Sequence, residues 1–199
     1  MPYEVATATR RMTGKAIIFS APSGAGKTTI VQHLLGLDLN LEFSISAATR
    51  AKRANETDGK DYHFFSVEQF KDQILKHDFI EWQEVYPDHF YGTLRSEIDR
   101  IWSSNKHVIF DVDVEGGINL KRYFKSAAIS IFVQPPSIDV LEERLRLRKT
   151  ENESSIRKRM RKADSELTKS SQYDCKLINN ELDDTLVEAE AIVRDFLDS

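Results

Sequence analysis

The chain has 199 residues, 40% of them apolar, and a net charge of −4 at neutral pH, which suits one domain able to bury a substantial core. No apolar run approaches the ~20 residues of a membrane span, nothing near its start reads as a secretory segment, and the charge balance argues against a general nucleic-acid or membrane-surface binder. The single cysteine, Cys175, offers no intramolecular disulfide, so a reducing compartment, the cytoplasm, is expected.

Residues 1–14 lack an apolar period and are expected as a flexible tail ahead of a domain over 15–199. Ala16–Ser20 is apolar at nearly every position, as a strand buried on both faces of a parallel sheet would be. Ala21-Pro22-Ser23-Gly24-Ala25-Gly26-Lys27-Thr28-Thr29 follows, and then a helical spacing at Ile30, Val31, Leu34 and Leu35. Strand, tight loop and helix in that order make a phosphate cradle. Glycines let successive N–H groups turn inward, and the helix N-terminus adds partial positive charge. Lys27 is placed to reach the β- and γ-phosphates of a nucleoside triphosphate, and the Thr28 hydroxyl to hold Mg²⁺. Ala21 stands where the strict pattern has glycine, and alanine fits there only with a negative φ.

Residues 44–50 form a β-like run that leads into Arg50 and Arg53, which as a pair suit a second phosphate and singly suit surface ion pairs. Residues 61–65 resume as strand, and Ser66 with Gln69 has the spacing of a capping box ahead of Phe70, Ile74 and Leu75. Residues 79–82 and 90–93 are extended pieces around a turn at Pro87 and Asp88, so the stretch 43–93 reads as a small sheet-rich insertion. Glu81 lies inside the apolar run Phe79-Ile80-Glu81-Trp82, where a buried carboxylate needs a donor and an outward one does not.

Helical spacing returns over 94–103, and 108–113 is a β-branched core strand ending in Asp111 and Asp113. Two apart on a strand, these carboxylates share a face. Asp111 either orients water on Mg²⁺ or simply ends strand pairing. A helix to about Tyr123, a strand over 127–133, a helix capped by Ser137 and a charged helical segment near 149–171 come next. A short strand over 173–178 and an amphipathic helix through Leu186, Ala189, Val193 and Phe196 close the chain. Alternating strands and helices imply an α/β fold, a parallel sheet with helices on both faces. Arg144 with Arg148, and Arg157 with Arg161, sit four apart on helix faces, as solvated ion pairs or as cations for a transferred phosphoryl group. The five histidines show no metal-ligand spacing.

Six stretches, 20–29, 44–53, 59–64, 79–82, 91–93 and 110–113, occur in the order and spacing of guanylate kinases, which the chain resembles from about Lys15 onward. The resemblance implies a P-loop three-layer α/β core with an inserted mixed-sheet GMP-binding region near 43–95 and a helical lid near 137–170. It further implies reversible, Mg²⁺-dependent transfer of the ATP γ-phosphoryl group to GMP, with dGMP as an alternative acceptor. By the same resemblance, residues 21–29 and Asn179 would hold ATP, with Asn179 near adenine. Arg50, Arg53, Tyr62 and Tyr91, with Ser46 beside them, would hold the GMP phosphate, while Glu81, Thr93 and Asp113 would read guanine. Lys27, Arg144, Arg148 and Arg159 would be the catalytic cations, and Thr28 with Asp111, through water, would hold the metal. The chain departs from the family at Arg148-Lys149-Thr150, where Arg-Gly-Thr is common, and at Asn179-Asn180-Glu181. A phosphopeptide-binding domain of the same shape is the rival reading. Monomer and homodimer are both compatible with the sequence.

Overall fold

A computed structural model describes residues 14–147 and 153–199. In chain order the elements are β1 (Ala16–Ser20), α1 (Lys27–Leu35), β2 (Leu41–Phe43), β3 (Ala47–Ala48), β4 (His63–Phe64), α2 (Val67–Leu75), β5 (Phe79–Tyr86) and β6 (His89–Leu94). They continue with α3 (Arg95–Ser103), β7 (His107–Val112), α4 (Val114–Phe124), β8 (Ala128–Gln134), α5 (Ile138–Leu147), α6 (Glu153–Leu167), β9 (Cys175–Ile178) and α7 (Leu182–Asp198).

Five strands form one parallel sheet in the order β2-β7-β1-β8-β9. The period of two explains why β1 is apolar throughout. Ile17 and Phe19 face α1, α5 and α7, while Ala16 and Ile18 face α3 and α4, so both faces are covered. Phe19 is completely buried, and truncating such a side chain to alanine costs about 3–5 kcal/mol. The loop that follows β1 therefore stands on a stiff base. With β7 beside β1, Phe19 is in register with Asp111 and Ser20 with Val112, which sets Asp111 at the sheet edge where the loop begins.

A second, mixed sheet has the order β4-β3-β6-β5, with β3 parallel to β4 and the other pairs antiparallel. Phe70 of α2 stacks on Phe79 at 4.3 Å between centroids and closes the apolar face with Phe90 and Leu94. The Ser66–Gln69 capping box is formed in both directions.

Several boundaries differ from the sequence expectation. Leu41–Phe43, not expected as a strand, pairs with β7 at the edge of the large sheet; three residues are too few to show a period. The run over 44–50 contracts to Ala47–Ala48. Strand β7 ends at Val112, and Asp113 becomes the N-cap of α4, because its carboxylate accepts the Gly116 N–H at 2.8 Å. Gly14, expected in the tail, is buried against Trp102, while the rest of the tail lies outside the described residues. No helix among the described residues is long and apolar enough to cross a membrane.

Candidate active site

A cavity of about 640 Å³ opens between the carboxyl end of the large sheet, the small sheet and α6. At one end lies the loop over 21–29. Gly24 and Gly26 adopt φ of 100° and 94°, whereas Ala21 keeps a negative φ, so its departure from glycine costs nothing. The loop turns on the Ala25 N–H to Pro22 carbonyl bond (3.1 Å) and delivers Lys27 as the first residue of α1. Lys27 pairs with Asp111, whose other oxygen accepts the Thr28 hydroxyl at 2.7 Å. Burial lowers the Lys27 ammonium to about 7, against the opposing pull of Asp113 and Glu166.

At the other end, β5 and β6 place Glu81 directly across from Thr93. The completely buried Thr93 hydroxyl donates to Glu81 Oε1 at 2.9 Å. Burial pushes the Glu81 carboxyl up to about 7, Thr93 pulls it down and Asp113 adds to the rise. Ser46, Arg53, Tyr62, Tyr91 and Asp113 also line the cavity. From α6, Arg159 lines it as well and donates to Ser23 Oγ at 2.6 Å, tying α6 to the loop over 21–29.

Three of the expected site residues, Asn179, Arg144 and Arg50, stand elsewhere. Asn179, 4% exposed, lies behind the loop and donates to the Ala25 carbonyl at 2.7 Å; its Oδ1 has no partner. A Cβ on Gly26 would collide with that amide. Arg144 donates to the carbonyls of Asn179 and Asn180 at 3.0 and 3.3 Å and does not line the cavity, because those carbonyls at the end of β9 need donors. Arg50 is gripped by both oxygens of Glu56 at 2.6 Å and lies 4.7 Å over the Tyr62 ring, so it reaches the site through Tyr62. Arg148 and the Lys149-Thr150 departure lie outside the described residues.

The structure adds residues that the sequence reading did not single out. Glu56, which also accepts the Arg53 backbone N–H at 2.9 Å, organises the arginine loop, and its hydrogen bonds from Arg50 hold its carboxyl down to about 2. Its spacing from both arginines was the available signal. Gln83 lies two residues beyond Glu81 on the same face of β5, and its Nε2 donates to Asp113 Oδ1 at 3.0 Å. On α6, Lys162 and Glu166 continue the face of Arg159 into the cavity, 3.2 Å apart. Glu97 of α3, 4% exposed, accepts the Ile45 N–H at 2.9 Å and thereby fixes the chain just before Ser46.

The sequence model of the guanylate kinase family matches residues 13–196. The chain is 44% identical over 188 residues to the guanylate kinase of Bacteroides thetaiotaomicron, covering 94% of this chain and 92% of that one. To the guanylate kinase of Salinibacter ruber it is 45% identical over 184 residues, covering 92% and 97%. The crystal structure of guanylate kinase from Anaplasma phagocytophilum superposes with a TM-score of 0.73 at 27% identity, over 92% of this chain and 85% of that one.

Proposed function

The chain belongs to the guanylate kinase family, and from that premise we propose how its cavity carries out ATP + GMP ⇌ ADP + GDP. The observation that carries the reading is one continuous cavity with a glycine-turned, lysine-bearing loop at one end and a half-buried carboxylate, Glu81, at the other. The loop amides and Lys27 take the triphosphate of ATP. Glu81 takes guanine, which presents N1–H and the 2-amino group as adjacent donors. Adenine lacks that pair and would leave a partly buried anion unpaired, a mismatch worth about 10⁴-fold in discrimination. Arg53, Tyr62 and Tyr91 hold the GMP phosphate, with Arg50 positioned behind Tyr62 by Glu56.

The attacking oxygen belongs to the GMP phosphate and needs no strong base, so catalysis rests on alignment and on charge. Lys27 and Arg159 lie where negative charge spreads over the transferred group, and α6 covers the cavity against water. The Thr28 hydroxyl and Asp111, hard oxygen donors within hydrogen-bond distance of each other at the loop, fit Mg²⁺, with Asp111 acting through water. Bound with ATP, the ion would supply charge neutralisation on the triphosphate. The single free thiol of Cys175 suits the cytoplasm.

The test is a coupled ADP-release assay with ATP, Mg²⁺ and each of GMP, dGMP, AMP, UMP and CMP beside an ATP-only blank. Fast release with GMP, slower with dGMP and blank rates with the others is expected. Preference for another monophosphate would remove Glu81 from base reading. Binding of GMP without turnover would make the chain a binding domain.

A further inference from the structure

Gln83 lies on the base-reading side of the cavity, and nothing in the family resemblance gives it a role. On β5 it shares a face with Glu81, and its cross-strand neighbour is Tyr91, as Thr93 is that of Glu81. Its amide reaches out of the small sheet to Asp113, at the start of α4 on the large one. Both residues line the cavity. Since a carboxylate only accepts, the glutamine must present its NH₂ to Asp113. Asp113 Oδ1 thus receives two donors, Gln83 Nε2 at 3.0 Å and the Gly116 N–H at 2.8 Å. That leaves Oδ2 as the acceptor of this carboxylate, with Lys162 Nζ 3.9 Å away. A Cβ on Gly116 would crowd Asp113 Oδ1 at 3.1 Å and meet Gln83 Nε2 and Glu81 Oε2 only in ordinary contact, at 3.4 and 3.5 Å.

We infer that Gln83 is a positioning residue for nucleobase specificity: by holding Asp113 Oδ1 it aims Oδ2 at the second hydrogen of the guanine 2-amino group and so adds to the preference for GMP over IMP. This rests on the assignment of the Glu81 end to guanine. The chemistry separates the two bases cleanly. Hypoxanthine keeps the N1–H that Glu81 accepts but has no 2-amino group, so a second, fixed carboxylate acceptor rewards GMP alone. A neutral amide suits the task because it orients Asp113 without cancelling the charge that attracts the amino group. A lysine or arginine there would do both.

The experiment measures kcat/KM for GMP and IMP, with IMP also titrated as a competitive inhibitor so that slow turnover does not hide its affinity. The proteins are the wild type, Gln83→Met, Asp113→Asn, the double variant and Glu81→Gln. Methionine matches glutamine in length and removes the donor. Gln83→Met should lower the GMP/IMP ratio by about three- to tenfold, the range of one hydrogen bond, with nearly all of the loss on GMP. KM for ATP should stay within about twofold, and the double variant should show no lower ratio than Asp113→Asn alone. Equal losses on GMP and IMP would make Gln83 a mere support of the sheet and overturn the inference, as would an unchanged ratio. If Glu81→Gln leaves GMP use intact, the guanine assignment itself falls. If Glu81→Gln harms GMP use and Gln83→Met leaves the ratio alone, only the role of Gln83 is lost.

Discussion

The two ends of the cavity are built on opposite plans. The end proposed for phosphate is made by one continuous stretch, 21–29, and rests on backbone: two glycines of positive φ and a helix start. The base end is assembled by side chains from β5, β6 and the N-cap of α4, elements spread from Glu81 to Asp113. Desolvation also acts on them in opposite senses. It brings the Lys27 ammonium down to about 7 and the Glu81 carboxyl up to about 7, drawing each toward its neutral form until a group of opposite charge or a donor pairs with it. A backbone cradle tolerates few substitutions, whereas a side-chain wall can be retuned one contact at a time.

The hardest way to break the phosphate end is Lys27→Ala. It should lower kcat by about 10³-fold or more while the circular-dichroism spectrum and unfolding midpoint stay near wild type; a variant with most of its activity left would remove the loop from catalysis.

At the opposite end, Glu81→Gln should reduce kcat/KM for GMP by about 10²-fold and leave KM for ATP unchanged. The same residue predicts a pH dependence. Its folded-state value is raised from 4.5 to about 7, so the free protein gains the accepting carboxylate only as pH rises through neutrality, and GMP use should rise with it. The GMP phosphate titrates in a neighbouring range, so the Glu81 component is the part of the slope absent from Glu81→Gln. For stability the sign is reversed. The folded state binds this proton more tightly than the unfolded chain, so the contribution is full below 4.5 and is lost as pH rises toward about 7. The midpoint difference between wild type and Glu81→Gln should therefore shrink or invert across that window.

Asn179→Ala sharpens the contrast from behind the loop. Loss of its bond to the Ala25 carbonyl should cost about 1–2 kcal/mol of stability and raise KM for ATP, with no change in the preference for ATP over GTP as donor. A changed donor preference without a stability loss would instead place Asn179 against adenine. The smallest effect is expected from Glu56→Gln, which loosens Arg50 and the arginine loop: KM for GMP should rise about three- to tenfold with kcat nearly constant. An unchanged KM would show that Arg50 is held well enough by Tyr62 alone.

Much of the fold was legible because its signals are local. The unbroken apolar run of β1, the glycine spacing, the Ser66–Gln69 box and the carboxylate at the end of β7 each depend on residues close in sequence. The phosphate-binding reading of the loop follows from that local chemistry, and the ordered motifs carried the family. What the chain order could not show is where long polar side chains turn once distant segments meet. Arg144 went to the carbonyls closing β9, Asn179 to the underside of the loop and Arg50 to Glu56. The three-residue β2 exists only because β7 is there to pair with it, and the bond from Gln83 to Asp113 spans two sheets. The sequence by itself therefore determined the backbone cradle and the alternation of strands and helices, since both follow from short-range sterics and periodicity. Tertiary structure alone decided the wall proposed to read the base, because hydrogen-bond partners are chosen by distances of about 3 Å that only the packed sheets establish.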